Sequence, residues 1–220
     1  MGVPVGCGFG ASAAASISAV YAAAGALGLR LPRRELAYHA HVAEILRKTG
    51  LGTASVAYDA TGAGVITVPG GPGISKFLNV RVPPDTKIVT ASLGPFRKSG
   101  AISNPDMVWK INKAGLVALR RVQEHPTLDM LASQGEWFSE NVGLMSPEVK
   151  SLAETAISAG ASHASQNMIG HAIHAIVDGD HADRVARALK AAPTRPRVDV
   201  FEVGRLRAHV ISKVDPATRR

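Results

Sequence analysis

An α+β fold is what this sequence predicts, and three observations predict it. A glycine-rich loop, VPVGCGFGAS, runs directly into an alanine-rich stretch of helical character. The run KIVTAS at 87–92 is β-branched and apolar and reads as a buried strand. Beyond Asn104 come three helical stretches, and VDVFEVGRLRAHVISKV then reads as two strands about a Gly204 turn.

Each element follows from its composition. Ser12 to Leu27 predicts the first helix, because alanine is the best helix former and Gly28 suits the C-terminal cap. Its small side chains favour close packing against a sheet. A second helix is expected after Pro32, from Arg33 to Lys48, with Gly50 as its stop. Along it Tyr38, His41, Glu44 and Ile45 recur at spacings of three and four and share a face. The turn TGLG follows, then a strand-like stretch, GVITVPGGPG, and then the strand at 87–92. The Pro83-Pro84 pair marks a soft boundary between an N-terminal part, 1–84, and a C-terminal part, 85–220. Helices are expected at 106–122, 127–140 and 146–159, with Pro126 and Pro147 as breaks. GASHASQNMIGHAIHAIVDG has a mixed period and leaves strand and helix open, whereas HADRVARALKAA reads as a short amphipathic helix.

Bulk properties exclude several classes. Hydrophobic residues make up 46% and charged residues 19%, a globular composition. The net charge is +8, yet the basic residues are scattered, form no run of five or six, and are not interleaved with aromatics. That pattern argues against a nucleic-acid partner and leaves a small anionic substrate. Cys7 is the single cysteine, so no intrachain disulfide can form, which fits a reducing cytoplasm. No run of eighteen apolar residues occurs, so no membrane span is predicted.

The loop at residues 6–12 admits several readings. A Walker loop fails for want of a lysine after the glycines. A nucleophile elbow fails because Ala14 stands two residues after Ser12. GCGFGA does fit the dinucleotide pattern GxGxx[GA], but that pattern wants a preceding strand and an acid about twenty residues on. Glu35, the nearest acid, lies in a helical stretch. Alternatively, a proline-led glycine loop opening into a helix forms a cradle of N–H groups for phosphate, with Ser12 able to reach a phosphate-bound magnesium. A plain tight turn is the remaining reading.

PVGCGFGASAAA resembles the second motif of the GHMP kinases, a proline, a glycine loop and then Ser-Ala entering a helix. Within that superfamily the chain is similar to the archaeal pantoate kinases. The resemblance is carried by GFGASAAAS, AHVAEILRKTGLG at 40–52, VPGGPG at 68–73, GPFRKSGAISNP at 94–105, INKAG at 111–115 and ASQNMIGHAIHAI at 164–176. It implies an N-terminal domain like ribosomal protein S5 domain 2, here incomplete, and a ferredoxin-like C-terminal domain. It implies ATP-dependent phosphorylation of the 4-hydroxyl of pantoate, on the archaeal route to coenzyme A. Gly6, Gly8, Phe9, Gly10, Ala11 and Ser12 would then line the ATP phosphates, Ser12 and Glu44 would hold magnesium, and His41 would touch the pantoate. These residue types suit a hard cation and a reaction that needs positioning and charge neutralisation. Without the resemblance, Glu44 reads as a solvated helix acid pairing with Lys48 at i+4, and His41 as a surface or boundary histidine. The resemblance leaves a homodimer open.

The chain departs from the family's pattern in places. Thr53 follows TGLG where relatives continue with an aspartate, the candidate base, and a neutral threonine does not accept a proton at pH 7. Thr67 stands where the strand commonly offers an arginine to the substrate carboxylate, and Arg97 would be the replacement cation. Relatives also carry strands and a first motif ahead of the glycine loop, so a shortened product or a misplaced start is expected. A catalytically weak nucleotide-binding homologue and, more distantly, an NAD-binding oxidoreductase stand as alternatives.

His163, His171, His174 and His181 fall in the C-terminal third; the i, i+3 pair would suit a metal if helical, but scattered boundary histidines is the preferred reading. Trp109 and Trp137 are expected to pack.

Overall fold

A computed structural model describes residues 2–47, 49–50, 52–59, 61–95, 104–168 and 170–204 of the chain. In chain order the elements are α1 (Ala11–Ala26), α2 (Arg33–Arg47), α3 (Thr53–Asp59), β1 (Ala63–Val68), β2 (Lys76–Val80) and β3 (Thr86–Ser92). Then come α4 (Pro105–Glu124), α5 (Leu128–Val142), α6 (Pro147–Ser158), β4 (His163–Gln166), β5 (Ala172–Asp178), α7 (Ala182–Lys190) and β6 (Arg197–Glu202). The packing divides the chain into two compact units that alternate along the sequence. One holds the chain up to Ala11, Gly62–Thr67 and Leu78–Val203; the other holds Ser12–Thr61 and Val68–Phe77.

The first unit is built on a four-stranded sheet in the order β4-β5-β3-β6. All three pairings are antiparallel, with Val89 opposite Ala175 on one side and Val200 on the other, and His163 opposite Ile176. Strand, helices, hairpin, helix, strand in this spatial order is the ferredoxin-like topology. Alternation along the strands sends Val89, Ala91, Ile173, Ala175 and Val177 to one face, where they meet Val149, Leu152 and Ala156 of α6 and Val185 and Leu189 of α7. Burying each larger apolar side chain stabilises the unit by about 1.5–3 kcal/mol. Helix starts are set by side-chain caps. The Asn104 side chain accepts from the Asp106 and Met107 N–H groups, Thr127 from Met130, and Ser146 from Val149.

In the second unit α1, α2 and α3 close around small residues. Ala13 and Ile17 meet Ala40 and Ala54, with Val20, Tyr21 and Ala57 at the margin. Alanines on facing helices allow the backbones to approach closely, so in this cluster α1 packs against helices rather than against the sheet its composition suggested. β1 and β2 pair as a two-stranded sheet, of which Ala63–Thr67 and Leu78–Val80 belong to the first unit. Among the described residues no helix is long and apolar enough to cross a membrane.

The structure differs from the sequence expectations at several points. The ambiguous stretch after Gly160 forms two strands, so His171 and His174 do not lie one helical turn apart. Among the described residues no three His, Cys, Asp or Glu gather as a metal site. α3 and β2 have no counterpart among the expected elements. On α2 the buried residues are Leu36, Ala37, Ala40 and Glu44, while Tyr38 and Ile45 are exposed. Tyr38 and Ile45 share a stripe that the packing leaves to solvent, because the small alanines take the tight inner face. Trp109 is 61% exposed, with the Lys113 ammonium 4.8 Å from its ring centre. The all-antiparallel sheet has none of the parallel β-α-β pairing that a dinucleotide fold requires. The second strand expected after Gly204 lies outside the described residues.

Candidate active site

In the first unit the glycine loop is held by a second loop. Gly6, Gly8 and Gly10 all take positive φ, at 78, 84 and 68°. Left-handed glycines alternating with residues of ordinary φ are the kind of backbone from which an anion-binding concavity of N–H groups is built. The loop then passes without a break into the first turn of α1. Gly8 packs its α-carbon on the carbonyl of Asn167, and Gly170 packs on the carbonyl of Cys7, each so closely that a β-carbon would overlap the backbone. The Asn167 side-chain amide donates to the Cys7 carbonyl at 3.1 Å. The Gly170 N–H donates to Asn167 O at 2.9 Å, and the buried Gln166 amide donates to Gly170 O at 3.0 Å. A β-carbon on Gly6 would stand 2.8 Å from Pro95 Cβ. Cys7 is fully buried, and burial pushes its thiol above the usual range, an effect partly opposed by a hydrogen bond from Gly94 and by Arg197.

Sequence reading missed Asn167, Gln166 and Gly170 as partners of the loop. The available signal was the pair of glycine-bearing loops, and nothing in local pattern links them.

The second unit holds the candidate metal and acceptor residues. Glu44 lies in the last turn of α2 and is 1% exposed. Neither of its carboxylate oxygens has a hydrogen-bond partner among the described residues. The reading of Glu44 as a solvated acid is therefore corrected; Lys48, its suggested i+4 partner, lies outside the described residues. His41, one turn earlier, is half-buried, with Nδ1 enclosed and likewise unpartnered among them. Its ring covers Gly71, where a β-carbon would stand 3.2 Å from Cδ2. The Ser55 hydroxyl donates to Gly70 O at 3.2 Å and so ties that glycine pair to α3. Ser12, in the first turn of α1, donates from Oγ to Thr49 O at 3.5 Å. Thr49 in turn donates to Glu44 O from its N–H at 3.0 Å and from Oγ1 at 3.4 Å. Thr53 opens α3 and is half-buried; Thr67, half-buried in β1, belongs instead to the first unit. Arg97 lies outside the described residues.

Ser12, Glu44, Thr49 and Gly50 are thus brought together, with His41 beside Gly71. A buried carboxylate without hydrogen bonds is costly unless a cation balances it. The site supplies oxygen ligands of the kind that magnesium takes, alongside a histidine able to donate or accept one hydrogen bond.

The chain is similar to known proteins over most of its length. Residues 1–62 match the family GHMP kinases N terminal domain, and residues 117–194 match GHMP kinases C terminal, together more than half of the chain. A pantoate kinase of Methanospirillum hungatei is 30% identical over 186 residues, 84% of this chain and 60% of that protein. One from Thermococcus kodakarensis is 29% identical with the same coverage. The chain therefore spans about 60% of the length of these relatives. A solved phosphotransferase related to the CoA biosynthesis pathway matches with a TM-score of 0.81 and 26% identity, covering 94% of this chain and 66% of that one. A homoserine kinase of Cytophaga hutchinsonii matches with a TM-score of 0.67 at 16% identity, over 94% and 69% of the two chains, a likeness of fold.

Proposed function

The chain belongs to the GHMP kinases, and from that premise we propose that it transfers a phosphoryl group from ATP to the 4-hydroxyl of pantoate, forming 4-phosphopantoate for coenzyme A. The observation that carries the reading is the Glu44 carboxylate, buried and without a hydrogen-bond partner among the described residues, one helical turn from His41. Its charge and the Ser12 hydroxyl fit a magnesium ion, which when bound neutralises phosphate charge in phosphoryl transfer.

The residues divide the work. The N–H groups of the loop Gly6, Gly8, Phe9, Gly10 and Ala11, with the start of α1, hold phosphate oxygens through the partial positive charge of a helix N-terminus. Ser12 and Glu44 hold the cation. His41, held over Gly71, orients the acceptor with a hydrogen bond. Thr53 offers a neutral hydroxyl where a carboxylate base would take the proton, so the reaction leans on alignment and charge neutralisation. Arg97 is the cation proposed for the carboxylate of pantoate.

The relatives' names and the structural neighbour support pantoate over the substrates of other GHMP kinases. A second reading, a homologue that binds nucleotide without turnover, is favoured by Thr53. Calorimetric titration with ATP, followed by an ADP-release assay with pantoate, homoserine and mevalonate, separates the two. ATP binding with pantoate-dependent ADP release is expected. ATP binding with no release for any acceptor would favour the second reading, and absence of ATP binding would overturn both.

A further inference from the structure

We infer that Gly50 is a positioning residue whose lack of a side chain sets where Glu44 presents its carboxylate. The inference rests on the metal-holding role proposed for Glu44 and deepens it. After α2 the chain turns back, and the α-carbon of Gly50 faces the head of Glu44. A β-carbon on Gly50 would stand 2.8 Å from Oε2 and 2.9 Å from both Cδ and Oε1. Carbon atoms of real side chains do not approach so closely. Gly50 is not among the glycines with positive φ, so its backbone conformation is open to alanine. What a side chain would meet is the Glu44 carboxylate, which would have to move to admit it.

The same turn fixes Ser12. Thr49 donates from its N–H and its hydroxyl to the Glu44 carbonyl, at 3.0 and 3.4 Å, and accepts from Ser12 Oγ at 3.5 Å. By giving its proton to the Thr49 carbonyl, the Ser12 hydroxyl keeps its lone pairs for a cation. Residues 49 and 50 therefore hold both proposed metal-binding side chains, one through a hydrogen bond and the other through contact. Supporting groups of this kind typically change metal affinity by about 10–100-fold when lost.

The test is Mn2+ binding in the presence of ATP, followed by electron paramagnetic resonance, for the wild type and for Gly50→Ala, Glu44→Asp, Glu44→Gln and the double variant Gly50→Ala/Glu44→Asp. Gly50→Ala is expected to weaken Mn2+ binding about tenfold or more, with ATP affinity in the absence of metal unchanged. Because Glu44→Asp withdraws the carboxylate by one methylene, the double variant is expected to bind Mn2+ no worse than Glu44→Asp alone. Unchanged Mn2+ affinity in Gly50→Ala, or losses that add in the double variant, would overturn the inference. If Gly50→Ala fails to fold, a folded double variant supports the steric relationship, and failure of both overturns it. Mn2+ affinity indifferent to Glu44→Gln is a separate result, which removes the metal role of Glu44 itself.

Discussion

Gly8 rests its α-carbon against the carbonyl of Asn167, backbone on backbone, while the Asn167 side chain reaches back to the carbonyl of Cys7. Two loops far apart in sequence are thereby locked, and the lock leaves no room for a side chain on either glycine. Gly8→Ala meets two penalties, overlap with the carbonyl and a φ of 84° that an L-residue resists. Together these are expected to cost about 2–4 kcal/mol, read as a lower urea midpoint. Asn167→Ala, which removes a single hydrogen bond, is expected to cost about 1 kcal/mol. ATP affinity should fall in both variants, since the loop geometry depends on the lock.

Glu44 predicts opposite effects on stability and function. An uncompensated buried carboxylate burdens the metal-free fold. Glu44→Gln keeps the shape and removes the charge. Its melting temperature in chelator is expected to equal or exceed that of the wild type, while pantoate-dependent ADP release falls about 10²-fold or more. A large loss of stability with retained turnover would contradict the role given to this residue.

Thr53→Asp places a carboxylate where the resemblance to the pantoate kinases leads one to expect it. If the threonine limits proton removal, the substitution is expected to raise kcat about tenfold or more, with ATP affinity nearly unchanged. A coupled ADP-release assay reads this directly, and no gain in kcat would refute the missing-base explanation.

His174 couples the first unit to pH. Burial lowers its pKa below the ordinary histidine value of 6.5, and Glu136 opposes that shift. The folded state thus prefers the neutral ring, whereas the unfolded chain takes up a proton near the ordinary value. Stability from this group is complete above pH 6.5 and is lost as pH falls from there towards the lowered folded pKa. His174→Gln is expected to flatten the decline in chemical-denaturation stability below pH 6.5. An unchanged slope would exclude His174 as the source.

Cys7 offers a probe of the loop lock. Its thiol is buried and held protonated above the usual pH range. Alkylation by iodoacetamide is expected to be slow in the native protein at pH 8, fast in urea, and faster in Asn167→Ala than in the wild type. Equal native rates for the two proteins would show that the Asn167 bond does not guard the loop.

Composition made much of the fold legible. Alanine content marked α1, Pro32 and Gly50 bracketed α2, and the β-branched run marked β3. The C-terminal helices followed from the helical stretches beyond Asn104 with Pro126 and Pro147 as breaks, and the caps at Asn104, Thr127 and Ser146 emerged only in the structure. α3 was hidden because TASVAYD is too short to show a helical period, and β2 because KFLNV carries no turn signal at its edges. The site was legible to a different degree. Spacing placed His41 and Glu44 on one side of α2, and the resemblance supplied their proposed roles. Burial of Glu44 was not legible, since its neighbours Ile45 and Arg47 look like a solvent-facing turn and are in fact exposed. Nor was the pairing of Cys7 with Asn167, because a contact spanning 160 positions leaves no trace in local pattern.

The central claim is that this chain carries a metal-dependent pantoate kinase site centred on Glu44. Phosphorus NMR of the protein with ATP, magnesium and pantoate tests it most directly. The expected result is a phosphomonoester resonance that grows as the ATP signals give way to ADP, that requires both pantoate and magnesium, and that is nearly abolished by Glu44→Gln. ATP left intact with pantoate present, or the same resonance appearing at the wild-type rate with Glu44→Gln, would contradict it.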